Sequence, residues 1–372
     1  MSKKLAIVVC GIRYNPYIEE RVFEVSKVHL DKLDTVRMTD NHFFNSYLNS
    51  DLTKVVFFTR NDLTDYSRIK EIRKKHKHIF LVGFSETFGK TQDEQYLEGL
   101  KLCKEASCNL VFASDEVSNF CMVITPEEAR YPRLKKGTSF LADGIDELVD
   151  ITKHRSHLMF TQSTVISGDP IPWNSETVPS SLRTVVDYCR EKGAYKPFSG
   201  VTAGHFAVKL TDKTFLTSIR KTDFNKLPEI GLVKVETDTN DTVLAYGAKP
   251  SVGGQSQRIV FKDHVGYDCV LHFHCPKKEG SQVPIVSQRE FECGSHECGK
   301  NTSFGLKQFG NLKAVYLDEH GPNIIFNRSI DPQEVIKFID ENFDLKQKTG
   351  GFVSLDEIRT TPDTLDVAKN LL

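Results

Sequence analysis

The chain has 372 residues, enough for two domains that each bury a core of their own. Its 49 basic and 50 acidic residues give a formal net charge of -1 at pH 7, which argues against nucleic acid as a partner. Nine cysteines are scattered along the chain with no apolar leader before them, and no apolar run reaches the roughly 18 residues of a membrane span. We therefore predict a soluble cytoplasmic protein with reduced thiols and no membrane partner.

The first part of the chain alternates predicted strands with predicted helices. The strands are expected at residues 3–12, 54–59, 78–84 and 109–113, and the helices at 18–33, 62–76 and 91–107. Repeated strand–helix units predict an α/β fold with a doubly wound, mostly parallel, Rossmann-like sheet. The loop after the first strand has a single glycine and lacks the Gly-x-Gly-x-x-Gly pattern, so a dinucleotide site of the standard kind is not expected.

Three motifs in this region belong together. They are Leu81–Thr87 (LVGFSET), Cys108–Ser118 (CNLVFASDEVS) and Met122–Thr125 (MVIT). Residues 55–128 thereby resemble the phosphopantothenoylcysteine synthetase domain of coenzyme A biosynthesis flavoproteins. The resemblance implies a nucleotide at the N-terminal domain, near which the basic segment Arg133–Lys136 could lie; a solvated basic turn is the alternative for that segment.

The predicted domain boundary lies near residue 155, because residues 152–180 show neither helical nor strand periodicity. This gives an N-terminal domain over 1–155, a second domain over 156–350 and a C-terminal tail over 351–372. A helix is expected from Ser180 to Lys192, with Pro179 at its entry and Gly193 at its end.

The stretch Asp268–Pro276 (DCVLHFHCP) carries two histidines separated by one residue. If the stretch is a strand, both imidazoles point to one face about 7 Å apart, close enough to share a cation. A third nitrogen is available where another strand-like run ends in His320-Gly321. His272, His274 and His320 are thus candidate metal ligands, and ordinary half-buried histidines are the alternative.

Five motifs in the second half follow one another in order: Thr202–Lys209 (TAGHFAVK), Phe215–Val235, Lys249–Ser251 (KPS), Val270–His274 (VLHFH) and Val315–Gly321 (VYLDEHG). Over residues 180–345 the chain resembles the class II aldolase/adducin family. The resemblance implies an α/β/α domain, Zn²⁺ or another divalent metal on the three histidines, and a homo-oligomer, commonly a tetramer. It also implies substrate-binding positions, which are Gly204, His205, Arg220, Lys221, Ser251 and Gln255.

The chain departs from the family's pattern at positions that carry chemistry. The family's acidic residue falls on Gly253, and its asparagine after the first glycine is His205. Two small residues of its phosphate loop are replaced by Arg220-Lys221. Either the phosphate loop has been lost, or the ligand is more anionic than a sugar monophosphate; we favour the second.

A replacement acid or base is therefore expected in the loop 290–299, with Glu292 and His296 as candidate catalytic residues. A structural zinc on Cys293, His296 and Cys298 is the alternative for that loop.

Together these features predict a metal-dependent lyase or epimerase acting on a phosphorylated or nucleotide-linked, sugar-like substrate, that is, a small anionic molecule. Two alternatives stay open. The protein could be a non-catalytic, adducin-like binding or scaffold protein, or a nucleotide-dependent ligase that works through its N-terminal domain.

Overall fold

The computed structural model describes residues 5–11, 20–21, 24, 35–38, 56–60, 67–75, 77, 79–131 and 140–349; for residues 5–11, 35–38, 56–60, 67–68 and 252–255 it describes the backbone alone. The chain divides between His157 and Leu158 into two compact units, which we call unit 1 and unit 2. The basic segment at 133–136, the tail at 351–372 and most of the helix expected at 18–33 lie outside the described residues.

Unit 1 is built on one sheet with helices on both faces. Its described strands are β1 (Leu5–Gly11), β2 (Thr35–Met38), β3 (Val56–Arg60), β4 (Phe80–Thr87), β5 (Leu110–Asp115), β6 (Phe120–Ile124) and β7 (Arg130–Tyr131), and its described helices are α1 (Ser67–Lys75), α2 (Gln92–Ala106) and α3 (Phe140–Arg155). In the described residues the sheet runs in the order β2-β1-β3-β4-β5-β6-β7 and is parallel as far as β5, with β6 and β7 antiparallel at one edge.

Side-chain alternation along β4 and β5 explains why helices cover both faces. Val82 and Phe112 belong to the core beneath α3, whereas a Cβ on the intervening Gly83 would touch Leu102 of α2. Helix α2 begins at a capping box, in which Thr91 accepts from the backbone of Glu94 and the Glu94 carboxylate accepts from the backbone of Thr91. The predicted doubly wound, mostly parallel sheet is confirmed.

Unit 2 contains a larger, mostly antiparallel sheet. Its described strands are β8 (Gln162–Ile166), β9 (Pro197–Phe198), β10 (Val201–Thr202), β11 (His205–Lys209), β12 (Thr214–Ser218), β13 (Leu232–Thr237), β14 (Thr242–Tyr246), β15 (Cys269–His272), β16 (Ile285–Val286), β17 (Lys307–Phe309), β18 (Leu312–Leu317) and β19 (Gly321–Phe326). Its described helices are α4 (Ser180–Glu191), α5 (Leu227–Ile230), α6 (Val252–Asp263), α7 (His296–Gly305) and α8 (Pro332–Asn342), with a 3₁₀ turn at Phe224–Lys226.

Within the described part of unit 2 the sheet order is β16-β18-β19-β15-β11-β12-β13-β14-β8, with β17 beside β18 and a separate pair formed by β9 and β10. Neighbouring strands are antiparallel except at two places near the edges, β14 with β8 and β16 with β18. Strands β11, β15 and β19 lie at the centre, so the residues at their ends are brought together by the sheet register.

The central strands bury both faces, which makes unit 2 an α/β/α sandwich. Leu271 packs in the core with residues of α4 and α8, whereas its neighbour Val270 packs with Val260 and Phe261 of α6. Helix α7 lies beside α6, where a Cβ on Gly299 would touch Ile259. The predicted α/β/α architecture of this part of the chain is confirmed.

The longest described helix, α3, has 16 residues. Among the helices that the structure describes, none combines the length and the apolar composition needed to cross a membrane.

Candidate metal centre

Two chain segments bring the three candidate ligands to one end of the central strands. His272 is the last residue of β15, and His274 lies two residues beyond it. His320 lies in the tight turn between β18 and β19, not at the end of a strand as the sequence analysis expected. The expected strand through His274 is likewise shorter, because β15 stops at His272. Ladder pairing of His272 with Asn323 of β19 places the turn beside the end of β15.

Two glycines, Gly204 and Gly321, allow their own segments to pass close to the backbone that carries His272 and His274. Gly204, with φ +111°, would place a Cβ 2.6 Å from the carbonyl oxygen of His272. A Cβ on Gly321, whose φ is +152°, would overlap the carbonyl oxygen of Phe273. Both positions therefore require a residue without a side chain, both for space and for backbone conformation. Gly204, which is predicted to bind substrate, therefore lies against the backbone of His272.

The imidazoles of His272, His274 and His320 form one buried cluster. Their exposed fractions are 1%, 6% and 1%, and their candidate ligand atoms lie within 4.8 Å of one another. The Nε2 atoms of His272 and His320 are 3.1 Å apart. Two nitrogens that share a tetrahedral zinc, each about 2.0–2.1 Å from the metal, are separated by roughly 3.3 Å. The spacing of this pair is therefore that of two ligands of one cation.

A backbone carbonyl sets the proton position on His272. Its Nδ1 lies 2.7 Å from the carbonyl oxygen of Pro322, and a carbonyl can only accept, so Nδ1 carries the proton and donates. Nε2 then keeps its lone pair and faces His320. A donated N–H on the far nitrogen is the usual support of a metal-binding histidine, because it fixes both the tautomer and the ring orientation.

The cluster is electrically suited to a cation. Burial, reinforced by the neighbouring His205 and His274, holds the pKa of His272 well below its usual value. The ring is therefore neutral at pH 7, the protonation state in which imidazole binds metals. Among the described residues this is the one group of three or more histidine, cysteine or acidic side chains whose ligand atoms converge. Three buried imidazoles whose ligand nitrogens converge fit a divalent ion.

His205 lies next to the cluster. It is the first residue of β11 and pairs with His272 across the ladder, with ring centroids 4.8 Å apart. Its Nδ1 contacts the side-chain amide of Gln257 on α6. Burial, with a contribution from His274, lowers the pKa of His205 to about 3, so this ring is neutral as well.

A cavity of about 10 Å³ opens beside these rings, room for about one water-sized group. It lies between the sheet and helices α6 and α7, and the side chains that line it include His205, Gln257, Cys293, Cys298, His320 and Asn323. Cys298 contacts the Gln288 amide at 3.5 Å. The cysteines of the 290–299 loop thus border the cavity but do not join His296 in a second metal cluster within the described residues.

The predicted anion-binding residues lie on two adjoining loops. The backbone N–H of Arg220 donates to the carbonyl of Lys249 at 2.9 Å, and that of Ser251 donates to the carbonyl of Ser218, also at 2.9 Å. Lys221 is exposed, and its φ of +58° marks a left-handed turn. Backbone pairing therefore holds these two loops together next to the N-terminus of α6.

The two predicted catalytic residues are placed differently. Burial lowers the pKa of Arg220, and attraction to the Glu292 carboxylate opposes that shift, so Glu292 is near enough to interact with the charge of Arg220. His296 instead contacts the Thr161 hydroxyl through Nε2 at 2.9 Å and faces Asp241 through Nδ1 at 3.8 Å. Glu292 thus interacts with the charge of Arg220, whereas His296 contacts the segments around Thr161 and Asp241.

One predicted residue, Gln255, has no described side chain. The sequence analysis missed Gln257, which is 2% exposed and contacts His205. Helical spacing could have found it, because Gln257 lies four residues after Gly253 and so on the same face of α6 as the position of the missing acid.

No protein-family model matches the sequence, and no curated protein matches it either. Parts of the structure are similar to solved structures. YgbL from Escherichia coli, a putative aldolase/epimerase/decarboxylase, has 18% identity and a TM-score of 0.32 over 43% of this chain and 82% of that chain. An L-fuculose 1-phosphate aldolase has 16% identity and a TM-score of 0.33 over 44% of this chain and 82% of that chain.

The DNA/pantothenate metabolism flavoprotein from Streptococcus pneumoniae has 9% identity and a TM-score of 0.30 over 40% of this chain and 95% of that chain. These similarities cover the same two kinds of protein as the sequence resemblances.

Proposed function

We propose that unit 2 is a metal-dependent lyase or epimerase that acts on a phosphorylated or nucleotide-linked, sugar-like molecule. The observation that supports this most is the cluster of His272, His274 and His320, three buried imidazoles whose nitrogens lie within 4.8 Å. Zinc, or another divalent ion, would be held by these three nitrogens with a position left open. When bound, the ion would polarise a hydroxyl or carbonyl oxygen of the substrate and stabilise the negative charge that develops there.

Side chains of the protein would orient the substrate and transfer the proton. The positive charges of Arg220 and Lys221 orient the anionic end of the substrate, since a guanidinium makes strong, directional bonds to phosphate. Glu292 is the carboxylate among the predicted catalytic residues, and it interacts with the charge of Arg220. It moves a proton to or from the reacting carbon or oxygen, the task left open where Gly253 replaces the family's acid.

The first prediction concerns metal content. Wild-type protein is expected to carry about one divalent ion per chain, and His272→Ala and His274→Ala to carry much less, because two nitrogens hold such an ion far more weakly than three. Elemental analysis after dialysis measures this. The exposed His154 in unit 1 provides the matched control, His154→Ala, which keeps the wild-type content. Equal metal in the wild type and in the His272→Ala, His274→Ala double variant would place the ion elsewhere.

The second prediction separates Glu292 from His296. Glu292→Gln is expected to lower turnover by roughly 10²-fold with metal content unchanged, because the amide keeps the shape and loses the proton carrier. His296→Asn is expected to have a smaller effect, since both ring nitrogens of His296 face residues outside the triad. Steady-state kinetics on a panel of sugar phosphates and nucleotide sugars, with metal analysis of each variant, is the measurement.

A non-catalytic binding protein is the second candidate, and the residue that favours it is Gly253 at the position of the family's acid. The same panel distinguishes the two. Binding of a sugar phosphate without turnover by the metal-loaded wild type would favour the binding protein, whereas turnover that is lost in Glu292→Gln supports the enzyme.

A further inference from the structure

His205 is held by two residues that the proposed chemistry does not yet use. Its Nδ1 contacts the amide nitrogen of Gln257. The amide oxygen of Gln257 lies 3.5 Å from the Thr217 hydroxyl, which is also 3.2 Å from the Phe206 carbonyl oxygen. All three side chains are buried, with exposed fractions of 6%, 2% and 0%. They form a chain of polar contacts that leads from the sheet through α6 to the edge of the histidine cluster.

The direction of donation along this chain follows from the groups themselves. The amide nitrogen of Gln257 faces the imidazole and can only donate, so Nδ1 of His205 accepts. An imidazole nitrogen that accepts is unprotonated, so in a neutral ring the other nitrogen carries the proton. His205 therefore has its proton on Nε2.

His272, directly opposite on β15, has the reverse arrangement. Its Nδ1 donates to the Pro322 carbonyl and its Nε2 lone pair faces His320. Two neighbouring histidines, 4.8 Å apart between ring centroids, are thus fixed in opposite tautomers by different partners. The Nε2 atom of His272 has a lone pair that can ligate a cation. The Nε2 atom of His205 carries a proton and is a hydrogen-bond donor.

We infer that His205, held as the Nε2–H tautomer by the Gln257 amide, donates a hydrogen bond to a substrate oxygen beside the histidine cluster. The inference rests on the proposed function and adds a specificity to it. A neutral N–H donor in a buried site favours a substrate with an oxygen that is negatively charged or becomes so, such as a carboxylate or an enolate oxygen, over one with an apolar group there. His205 also lines the cavity, which has room for about one oxygen-sized group.

The tautomer is tested first, in metal-free protein and without any activity. Nitrogen-15 NMR of the histidine side chains distinguishes protonated from unprotonated ring nitrogens, and His205→Asn identifies the His205 signals. We expect a proton on Nε2 of His205 and on Nδ1 of His272. A proton on Nδ1 of His205 would overturn the inference.

The second test reverses the tautomer. In Gln257→Glu a carboxylate replaces the amide and accepts from Nδ1, which moves the ring proton away from Nε2. Glycolate, a small hydroxy acid, serves as the probe, and its affinity for Co²⁺-loaded protein is measured by the change in the cobalt spectrum. Removing one hydrogen bond to a charged group is expected to weaken glycolate binding roughly tenfold.

Thr217→Val is a milder variant that keeps the shape and removes the hydroxyl beside the Gln257 amide oxygen. It is expected to shift the His205 tautomer signal and the glycolate affinity in the same direction, by less. Gln282→Glu adds the same charge at an exposed position of unit 2 and is expected to change neither.

The outcomes separate the inference from the function on which it rests. Failure of the wild type to bind Co²⁺ through the three histidines would remove the proposed function. Normal Co²⁺ binding with equal glycolate affinity in the wild type, Gln257→Glu and Thr217→Val would leave that function standing and overturn the role of His205.

Discussion

Histidines that share a buried site differ in their chemistry because each has a different hydrogen-bond partner. A carbonyl beside Nδ1 of His272 leaves the Nε2 lone pair for a cation, and an amide nitrogen beside Nδ1 of His205 leaves an N–H. Ring burial alone would make both neutral and would not distinguish them. At the residue scale, the identity of one neighbouring atom decides which ring nitrogen of a histidine keeps its lone pair.

A third prediction follows from the protonation of these rings. The pKa of His205 is lowered to about 3, whereas an unfolded histidine has a pKa near 6.5. Between those two values the unfolded state holds a proton that the folded state does not, so the free energy of unfolding falls as the pH falls from about 6.5. Each such histidine changes the free energy of unfolding by at most about 1.4 kcal/mol per pH unit.

Urea unfolding of metal-free protein, followed from pH 7.5 down to pH 5, measures this slope. His205→Asn removes one of the groups and is expected to lower the slope by about one proton. A slope that is the same in the wild type and in His205→Asn would show that His205 binds its proton equally in the folded and unfolded states.

At the scale of the elements, the site depends on how closely the ends of strands β11, β15 and β19 approach one another. Strand β19 begins at Gly321, which passes over the Phe273 carbonyl, and β11 begins beside Gly204, which passes behind His272. Side chains at those two positions would push β11 and β19 away from β15 and so separate the histidines. The closeness of the triad is therefore a property of the strand ends rather than of the histidines alone.

The fourth prediction tests this crossing. Gly321→Ala is expected to destabilise unit 2 by about 2–3 kcal/mol or more and to lower metal content, because the added Cβ overlaps a backbone oxygen and the backbone conformation disfavours a side chain. Urea unfolding and elemental analysis measure the two effects.

Gly266→Ala is the matched control. Gly266 also has a positive φ, +89°, but a Cβ there would meet nothing within 4 Å. It is expected to cost about 1 kcal/mol and to leave the metal content unchanged. Equal losses in the two variants would mean that backbone conformation, and not the overlap with Phe273, accounts for the effect.

At the scale of the whole molecule, every residue proposed to act on the substrate lies in unit 2. That unit has apolar cores on both faces of its sheet, with α4 and α8 on one face and α6 on the other. Unit 1 has a core of its own between its sheet and α3. Each unit therefore has the buried apolar surface that an independently folding domain needs.

As a fifth prediction, a fragment of residues 158–350 is expected to fold and to bind as much metal per chain as the full protein. Circular dichroism and elemental analysis are the measurements, with the His272→Ala form of the same fragment as control. An unfolded fragment would show that unit 2 requires unit 1. The homo-oligomer implied by the family resemblance stays a prediction, which light scattering on the full chain tests.

Much of the architecture was predictable from the sequence because it depends on local periodicity. Alternating apolar runs and amphipathic stretches predicted strands and helices of unit 1 such as β4, α2 and β5, since side-chain direction repeats every two residues in a strand and every 3.6 in a helix. The spacing of His272 and His274, together with the motif around His320, likewise predicted which three histidines meet.

Only the tertiary structure decided what surrounds those histidines. The contact between His205 and Gln257 spans 52 residues and depends on the register of β11 against β15 and on the rotation of α6, neither of which leaves a periodic signal in the sequence. The same reason explains why Glu292 lies beside Arg220 while His296, only four residues later, lies against Thr161. Neighbours in sequence diverge there because α7 begins at His296 and turns its first side chains toward a different part of the sheet.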